Sequence, residues 1–129
     1  SYGSTLNLII DSVSELNELG IDVEIIDIQT LIPFDTSNDI LISVKKTNRI
    51  IIIDEDVPGG ASAYILHKLI DEQGIFNHLD SPPKTLTAKD HRPPYGSDGD
   101  YFSKPSVDDI VESIYQIMNE SNPKKYPLF

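Results

Sequence analysis

Residues 49–61 read Arg49-Ile50-Ile51-Ile52-Ile53-Asp54-Glu55-Asp56-Val57-Pro58-Gly59-Gly60-Ala61. Four successive isoleucines leave no polar face. Such a run predicts a strand covered on both sides, as in a parallel α/β sheet. Three carboxylates follow at its carboxyl end, the position where open α/β sheets build sites and interfaces. Val57 and Pro58 then turn the chain, and Gly59-Gly60 opens a helix. The architecture is therefore written plainly here, whereas the chemistry is not.

The rest of the chain alternates helix and strand. Leu6, Ile9, Ile10, Val13, Leu16 and Leu19 fall at helical spacing from Ser4 to Leu19, and Gly20 is the stop. A Val- and Ile-rich strand is expected over Ile21 to Ile28, then a turn at Pro33-Phe34-Asp35 and a helix from Thr36 to Thr47. Lys45 and Lys46 suit that helix's negative end. The buried strand, Arg49 to Asp54, leads into a helix from Ala61 to Gln73 ended by Gly74. A short strand follows at Thr85 to Thr87. Asp90 to Pro105 reads as a long loop, and Ser106 with Asp109 forms a capping box for a helix from Val107 to about Asn119. Residues 1–121 make one domain and 122–129 an irregular tail. Short connections imply right-handed crossovers, hence a three-layer α/β/α, doubly wound, mostly parallel sheet. In the doubly wound order Ser1-Tyr2-Gly3, which reads as the end of a strand cut short, sits between the Val23 and Ile50 strands, with Thr85 to Thr87 beside the latter. A fragment of a longer chain is expected.

Charge narrows the partners. Lys plus Arg number 10 and Asp plus Glu 21, a formal net charge of −11 over 129 residues. Nucleic acid and anionic membrane surfaces would be repelled, whereas a basic protein patch would be attracted. The plainer reading of the acidity is solubility. With no cysteine there is no disulfide, thiol nucleophile or thiolate metal site. No apolar run approaches the ~20 residues of a membrane span, and no signal peptide is legible.

Each candidate for chemistry has a simpler explanation beside it. Asp54, Glu55 and Asp56 could hold a metal or act as an acid/base pair, but neighbouring strand residues point to opposite faces, and a turn or interface role fits better. Gly59-Gly60 could cradle an anion. Without a following Lys-Ser or Lys-Thr it is no P-loop, and tight turning or close approach explains it. Asp98-Gly99-Asp100 lacks the other ligands of a calcium loop. His67 flanks a helix stripe and His78 lies in a polar loop. His91, within Asp90-His91-Arg92-Pro93-Pro94-Tyr95, has the most distinctive setting, but no Gly-x-Ser-x-Gly or other triad framework accompanies it.

Several segments, taken in order, carry a resemblance: Ser1-Tyr2-Gly3-Ser4, Leu19-Gly20-Ile21, Val23-Glu24-Ile25-Ile26-Asp27, Thr30-Leu31-Ile32-Pro33-Phe34-Asp35, Ser43-Val44-Lys45-Lys46-Thr47, Asp54-Glu55, Gly59-Gly60, Leu79-Asp80-Ser81-Pro82-Pro83-Lys84 and Lys104-Pro105-Ser106-Val107-Asp108-Asp109-Ile110. Over about Ser1 to Asn119 the chain resembles the C-terminal domain of the transketolase superfamily. The beta subunit of the decarboxylating component of 2-oxo acid dehydrogenases, of the pyruvate or branched-chain type, is most similar.

The resemblance implies an N-terminally truncated domain of that fold. It implies no cofactor in this domain, with thiamine diphosphate and Mg²⁺ held by other domains of the parent enzyme. It also implies a homodimer or heterotetramer formed through this domain, and docking of the acyltransferase component's small basic binding domain. On this reading no residue is catalytic and none binds metal. Glu55, Asp56, Gly59, Gly60, His91, Pro93, Pro94 and Tyr95 form the interface, with Asp80 as the docking residue. The location would be the cytoplasm of a bacterium or the mitochondrial matrix of a eukaryote. Gln29 stands where the family usually has Arg, and the chain runs past the usual end through Asn122 to Phe129. The rivals are the end domain of a transketolase or deoxyxylulose-phosphate synthase, and a free-standing α/β ligand-binding module.

Overall fold

The computed structural model describes residues 1–90, 95–96 and 103–128. Helix α1 (Ser4–Glu18) ends as expected. Gly20 takes φ 75°, and the Ile21 N–H reaches back to the Leu16 carbonyl at 2.9 Å. Helix α2 (Asp39–Thr47) starts three residues later than the pattern suggested, because Asp35 sets the start. Its carboxylate accepts from the Asp39 and Ile40 amides at 3.0 and 3.1 Å, and Asn38 is left-handed. The turn before it contains a cis Ile32–Pro33 bond.

Strand β1 (Ile51–Ile53) pairs in parallel with β2 (Lys84–Leu86), Ile52 opposite Thr85. Helix α3 (Ala61–His67) runs on through a π turn (Lys68–Glu72) to a left-handed Gly74 and a 3₁₀ turn (Ile75–His78). Helix α4 (Val107–Ser121) carries the expected capping box: Ser106 Oγ accepts from the Asp109 amide, and the Asp109 carboxylate accepts from the Ser106 amide. Such a cap stabilises a helix by about 1 kcal/mol.

The isoleucine run divides its side chains between two cores. Ile53 belongs to a cluster with Ile9 and Leu16 of α1 and Ile110 and Ile114 of α4, against which Ile51 packs. Ile52 belongs to a second cluster with Ile40 and Val44 of α2 and Ile65 and Leu69 from the α3 segment, against which Ile50 packs. This is why the run carries no polar residue.

One expectation needs correction. The Ile21–Ile28 segment forms no assigned strand. Its ladder bonds among the described residues are to Ser1 alone: the Ser1 amine donates to the Ile26 carbonyl at 3.3 Å and the Ile28 amide to the Ser1 carbonyl at 2.9 Å. Extended backbone becomes a strand only where a neighbouring edge pairs with it. For the same reason the sheet among the described residues has two strands. Ser1 does lie beside the Val23 segment, and β2 does lie beside β1.

Residues 122–128 are irregular yet docked. Tyr126 is buried, packs edge-on against Tyr115 and donates from its hydroxyl to the Gly20 carbonyl at 3.3 Å. The Asn119 amide nitrogen in turn donates to the Tyr126 carbonyl at 2.7 Å.

Candidate functional site at the carboxyl end of the sheet

The end of β1 is organised by Asp54. This residue is only 1% exposed. Burying a carboxylate is costly unless donors replace its water, and three do. Tyr2 donates its hydroxyl to Oδ1 at 2.7 Å, the Asp56 amide donates to the same oxygen at 3.0 Å, and the Ser62 amide donates to Oδ2 at 3.1 Å. Ser62 lies in the first turn of α3, where the backbone amides lack helical partners. Asp54 therefore supplies from within the chain the anion that a helix start favours.

Glu55 and Asp56 are exposed beside it. Glu55 accepts from the Ser4 hydroxyl at 3.1 Å and lies 3.7 Å from the Lys104 ammonium. Asp56 bends back, accepting from the Val57 amide at 2.8 Å. The two glycines have different reasons to be glycine. Gly59 takes φ 90° with open space where a Cβ would stand, whereas at Gly60 a Cβ would fall 2.2 Å from Asp56 Oδ2. Gly60 thus admits a side chain, not the neighbouring backbone its sequence setting suggested.

The rim extends across the sheet. The Ala88 amide donates to the Asp56 carbonyl, and the Lys89 amide to the Ser103 carbonyl at 2.8 Å. Both ends of the long loop therefore spring from this rim. Tyr95 is 84% exposed. His91, Pro93 and Pro94, like the Asp98-Gly99-Asp100 segment, lie outside the described residues.

Asp80 lies elsewhere. It precedes β2, at the amino end of the sheet, where its carboxylate meets the Arg49 guanidinium at 2.9 Å and its amide donates to the Asn48 carbonyl. Arg49 also donates to the Ser121 hydroxyl at 2.8 Å. Glu55, Asp56, Gly59 and Gly60 are thus brought together, and Asp80 is not among them. His67 is exposed beside Asp71, 3.2 Å away, and Gln29 donates to Asp27 at 3.0 Å.

Sequence reasoning missed Tyr2 and Ser62. Tyr2 read as part of a strand stub, and nothing local shows that its ring crosses to residue 54. Burial above all pushes the Tyr2 phenol up to about 12, helped by its hydrogen bond to Asp54 and the charges of Asp54, Asp56 and Glu55.

A magnesium diphosphate does not fit these residues. Asp54 is spent on Tyr2 and on the chain's own amides, Asp56 folds over the glycines, and no group of three or more His, Cys, Asp or Glu able to hold a metal occurs among the described residues. Nor is any helix among them long and apolar enough to cross a membrane.

A family model described as "Transketolase, C-terminal domain" matches residues 1–110. The chain belongs to the transketolase C-terminal domain family. Among curated relatives of this transketolase C-terminal domain, the pyruvate dehydrogenase E1 component subunit beta of Rhizobium meliloti is 32% identical over 88% of the chain and 24% of its own length. The acetoin:2,6-dichlorophenolindophenol oxidoreductase subunit beta of Bacillus subtilis is 33% identical over 93% of the chain and 34% of its own length. The mitochondrial pyruvate dehydrogenase E1 component subunit beta-2 of Oryza sativa is 31% identical over 88% of the chain and 30% of its own length. The chain thus spans about a quarter to a third of the length of these relatives.

Two outcomes test the rim. Gly60→Ala should cost about 1–2 kcal/mol in urea denaturation, as crowding does, and Asp56→Ala in the same chain should remove most of that cost. Gly59→Ala should cost about 1–2 kcal/mol through its left-handed backbone, with no relief from Asp56→Ala. Equal losses from Gly60→Ala with and without Asp56 would contradict the steric account.

The second outcome concerns pH. The Tyr2 phenol is raised in the folded state from its ordinary 10.0 to about 12. Its contribution is therefore complete below pH 10 and is lost as pH rises from 10 to 12. The stability difference between the wild type and Tyr2→Phe should shrink over that interval. A difference that stays constant would show that the Tyr2–Asp54 bond does not form.

Proposed function

We propose that this chain is a non-catalytic assembly and partner-docking domain of a thiamine-diphosphate-dependent 2-oxo acid dehydrogenase decarboxylating component. The parent would decarboxylate a 2-oxo acid oxidatively and pass the acyl group to lipoamide. One observation carries the reading: the carboxylates at the sheet's functional end are used to hold the chain together. Asp54 is committed to Tyr2, Asp56 and Ser62, so its oxygens are not offered to a substrate. What faces outward is a surface: Glu55, Asp56, the 40%-exposed Val57 and the base of the long loop.

On this reading the rim, with Glu55, Asp56, Gly59, Gly60, His91, Pro93, Pro94 and Tyr95, contacts a second subunit in a dimer or heterotetramer. Asp80 docks the acyltransferase's basic domain from the opposite end. Arg49 holds Asp80 Oδ2 while the side chain is 43% exposed, presenting a fixed carboxylate. Isoleucine faces packed against α1 and α4 on one side and α2 and α3 on the other support the three-layer, doubly wound arrangement. Thiamine diphosphate and Mg²⁺ would be held by other parts of the parent. By analogy with the relatives, the site of action would be the bacterial cytoplasm or the mitochondrial matrix.

Calorimetry separates this reading from a cofactor-binding one. Titrating the chain with thiamine diphosphate and Mg²⁺ should give no saturable heat. Titrating with the basic binding domain of the acyltransferase should give binding that weakens as salt rises and falls further in Asp80→Asn. Micromolar binding of thiamine diphosphate would overturn the proposal. Docking that is indifferent to Asp80→Asn at low salt would remove Asp80 from the interface.

A further inference from the structure

The amino end of the sheet carries two ion pairs side by side. Arg49 joins Asp80 at 2.9 Å, and Lys84 joins Glu120 at 2.8 Å. The Lys84 amide donates to the carbonyl of Ile50, the residue after Arg49. Glu120 precedes Ser121, whose hydroxyl accepts from Arg49 Nε at 2.8 Å. The four charges therefore share one patch, and they sum to zero. In a chain of net charge −11 this end is not part of the acidic excess, so a merely basic surface gains little from it.

What the patch offers is a pattern. Asp80 spends Oδ2 on Arg49, and its Oδ1 has no partner among the described residues. Arg49 spends Nε on Ser121 and Nη2 on Asp80, the two nitrogens on one side of the guanidinium. Its Nη1 edge has no partner among the described residues. Both side chains reach solvent, at 30% exposure for Arg49 and 43% for Asp80. An acceptor and a donor thus stand open beside each other, and both are held in place. The Asp80 amide donates to the Asn48 carbonyl and the Asn48 side chain to the His78 carbonyl, each at 2.9 Å. The Ser121 hydroxyl is fixed in turn by the Ile117 and Met118 carbonyls of α4. Groups held this way lose little entropy on binding, and the planar guanidinium demands an acceptor in its own plane.

We propose that Arg49 is a specificity-determining residue of this end, and that the docking partner brings a carboxylate for Arg49 beside the cation that takes Asp80. The inference rests on the docking role of Asp80 proposed above and adds the chemistry of the partner. A partner that covers Asp80 also strips water from Arg49, 2.9 Å away. An all-cationic surface would leave that guanidinium without an acceptor and set a like charge beside it. Both costs count against the wrong partner. A surface carrying a cation and a carboxylate close together meets both open edges, and it matches the neighbouring Lys84–Glu120 pair as well.

The test is a pair of NMR titrations at low salt, read at the amides of residues 80 and 81 so that binding elsewhere on the acidic chain does not interfere. The two probes are hexalysine and the basic binding domain of the acyltransferase. In Arg49→Gln, hexalysine should bind roughly two- to fivefold more tightly, as removal of one exposed like charge implies, whereas the domain should bind more weakly. Arg49→Lys keeps the charge and should restore the wild-type preference for the domain, which separates loss of charge from loss of fold. Asp80→Asn should weaken both probes. If Arg49→Gln changes both probes by the same factor, or Arg49→Lys behaves as Arg49→Gln does, the specificity role is overturned while Asp80 docking stands. A domain that binds at residue 80 in neither the wild type nor Arg49→Gln would overturn the docking reading, and this inference with it.

Discussion

The Asp54 carboxylate is the constraint on which the rest of the rim depends. It is buried, and a buried carboxylate persists only if its donors stay in place. Those donors come from three parts of the chain: the Tyr2 side chain before α1, the Asp56 amide in the acidic turn, and the Ser62 amide at the start of α3. Breaking such a contact costs more than the bond is worth, because the orphaned partner also remains out of water. The turn that follows β1 is thereby tied to helices on both sides of the strand. Glu55, reached by Ser4 of α1, and Asp56, tucked over Gly60, take their positions from it.

This arrangement explains how an acidic strand end can serve a surface role. Carboxylates at the end of a parallel strand ordinarily invite a catalytic or metal-binding reading. Here the buried member is occupied by the chain and the exposed members face outward, the division on which the proposed docking role rests. The opposite end of the sheet is held in a similar way, with Arg49 joining Asp80 to Ser121 at the end of α4. Each end of β1 therefore locks a helix to a loop.

Much of this was legible in the residues, and the exceptions have physical causes. The isoleucine run announced a strand buried on two faces because no residue in it can face water. Gly20, Gly74 and the Ser106–Asp109 box marked helix ends through local backbone chemistry, which reads directly from sequence. Ile21 to Ile28 was misjudged because its pattern reports burial and extension, whereas strand pairing depends on a neighbour. Tyr2 and the Arg49–Asp80 pair were invisible because they join residues far apart in sequence, and Ser62 because it uses a backbone amide, which every residue has and no side-chain pattern reports. Tyr126 was missed for a different reason: a lone aromatic among Pro, Lys and Asn carries no periodicity, yet its ring fills the space between α1 and α4.

The most direct test of the Asp54 account is amide hydrogen exchange at Asp56 and Ser62 in the wild type and in Asp54→Ala. Exchange at Ile114, in the core of α4, reports overall stability in the same samples. The account predicts that Asp56 and Ser62 exchange roughly tenfold or more faster in the variant after correction for Ile114, as loss of a charge-assisted bond implies. If both amides keep their protection relative to Ile114, the carboxylate does not hold the turn to α3, and the account of the rim fails.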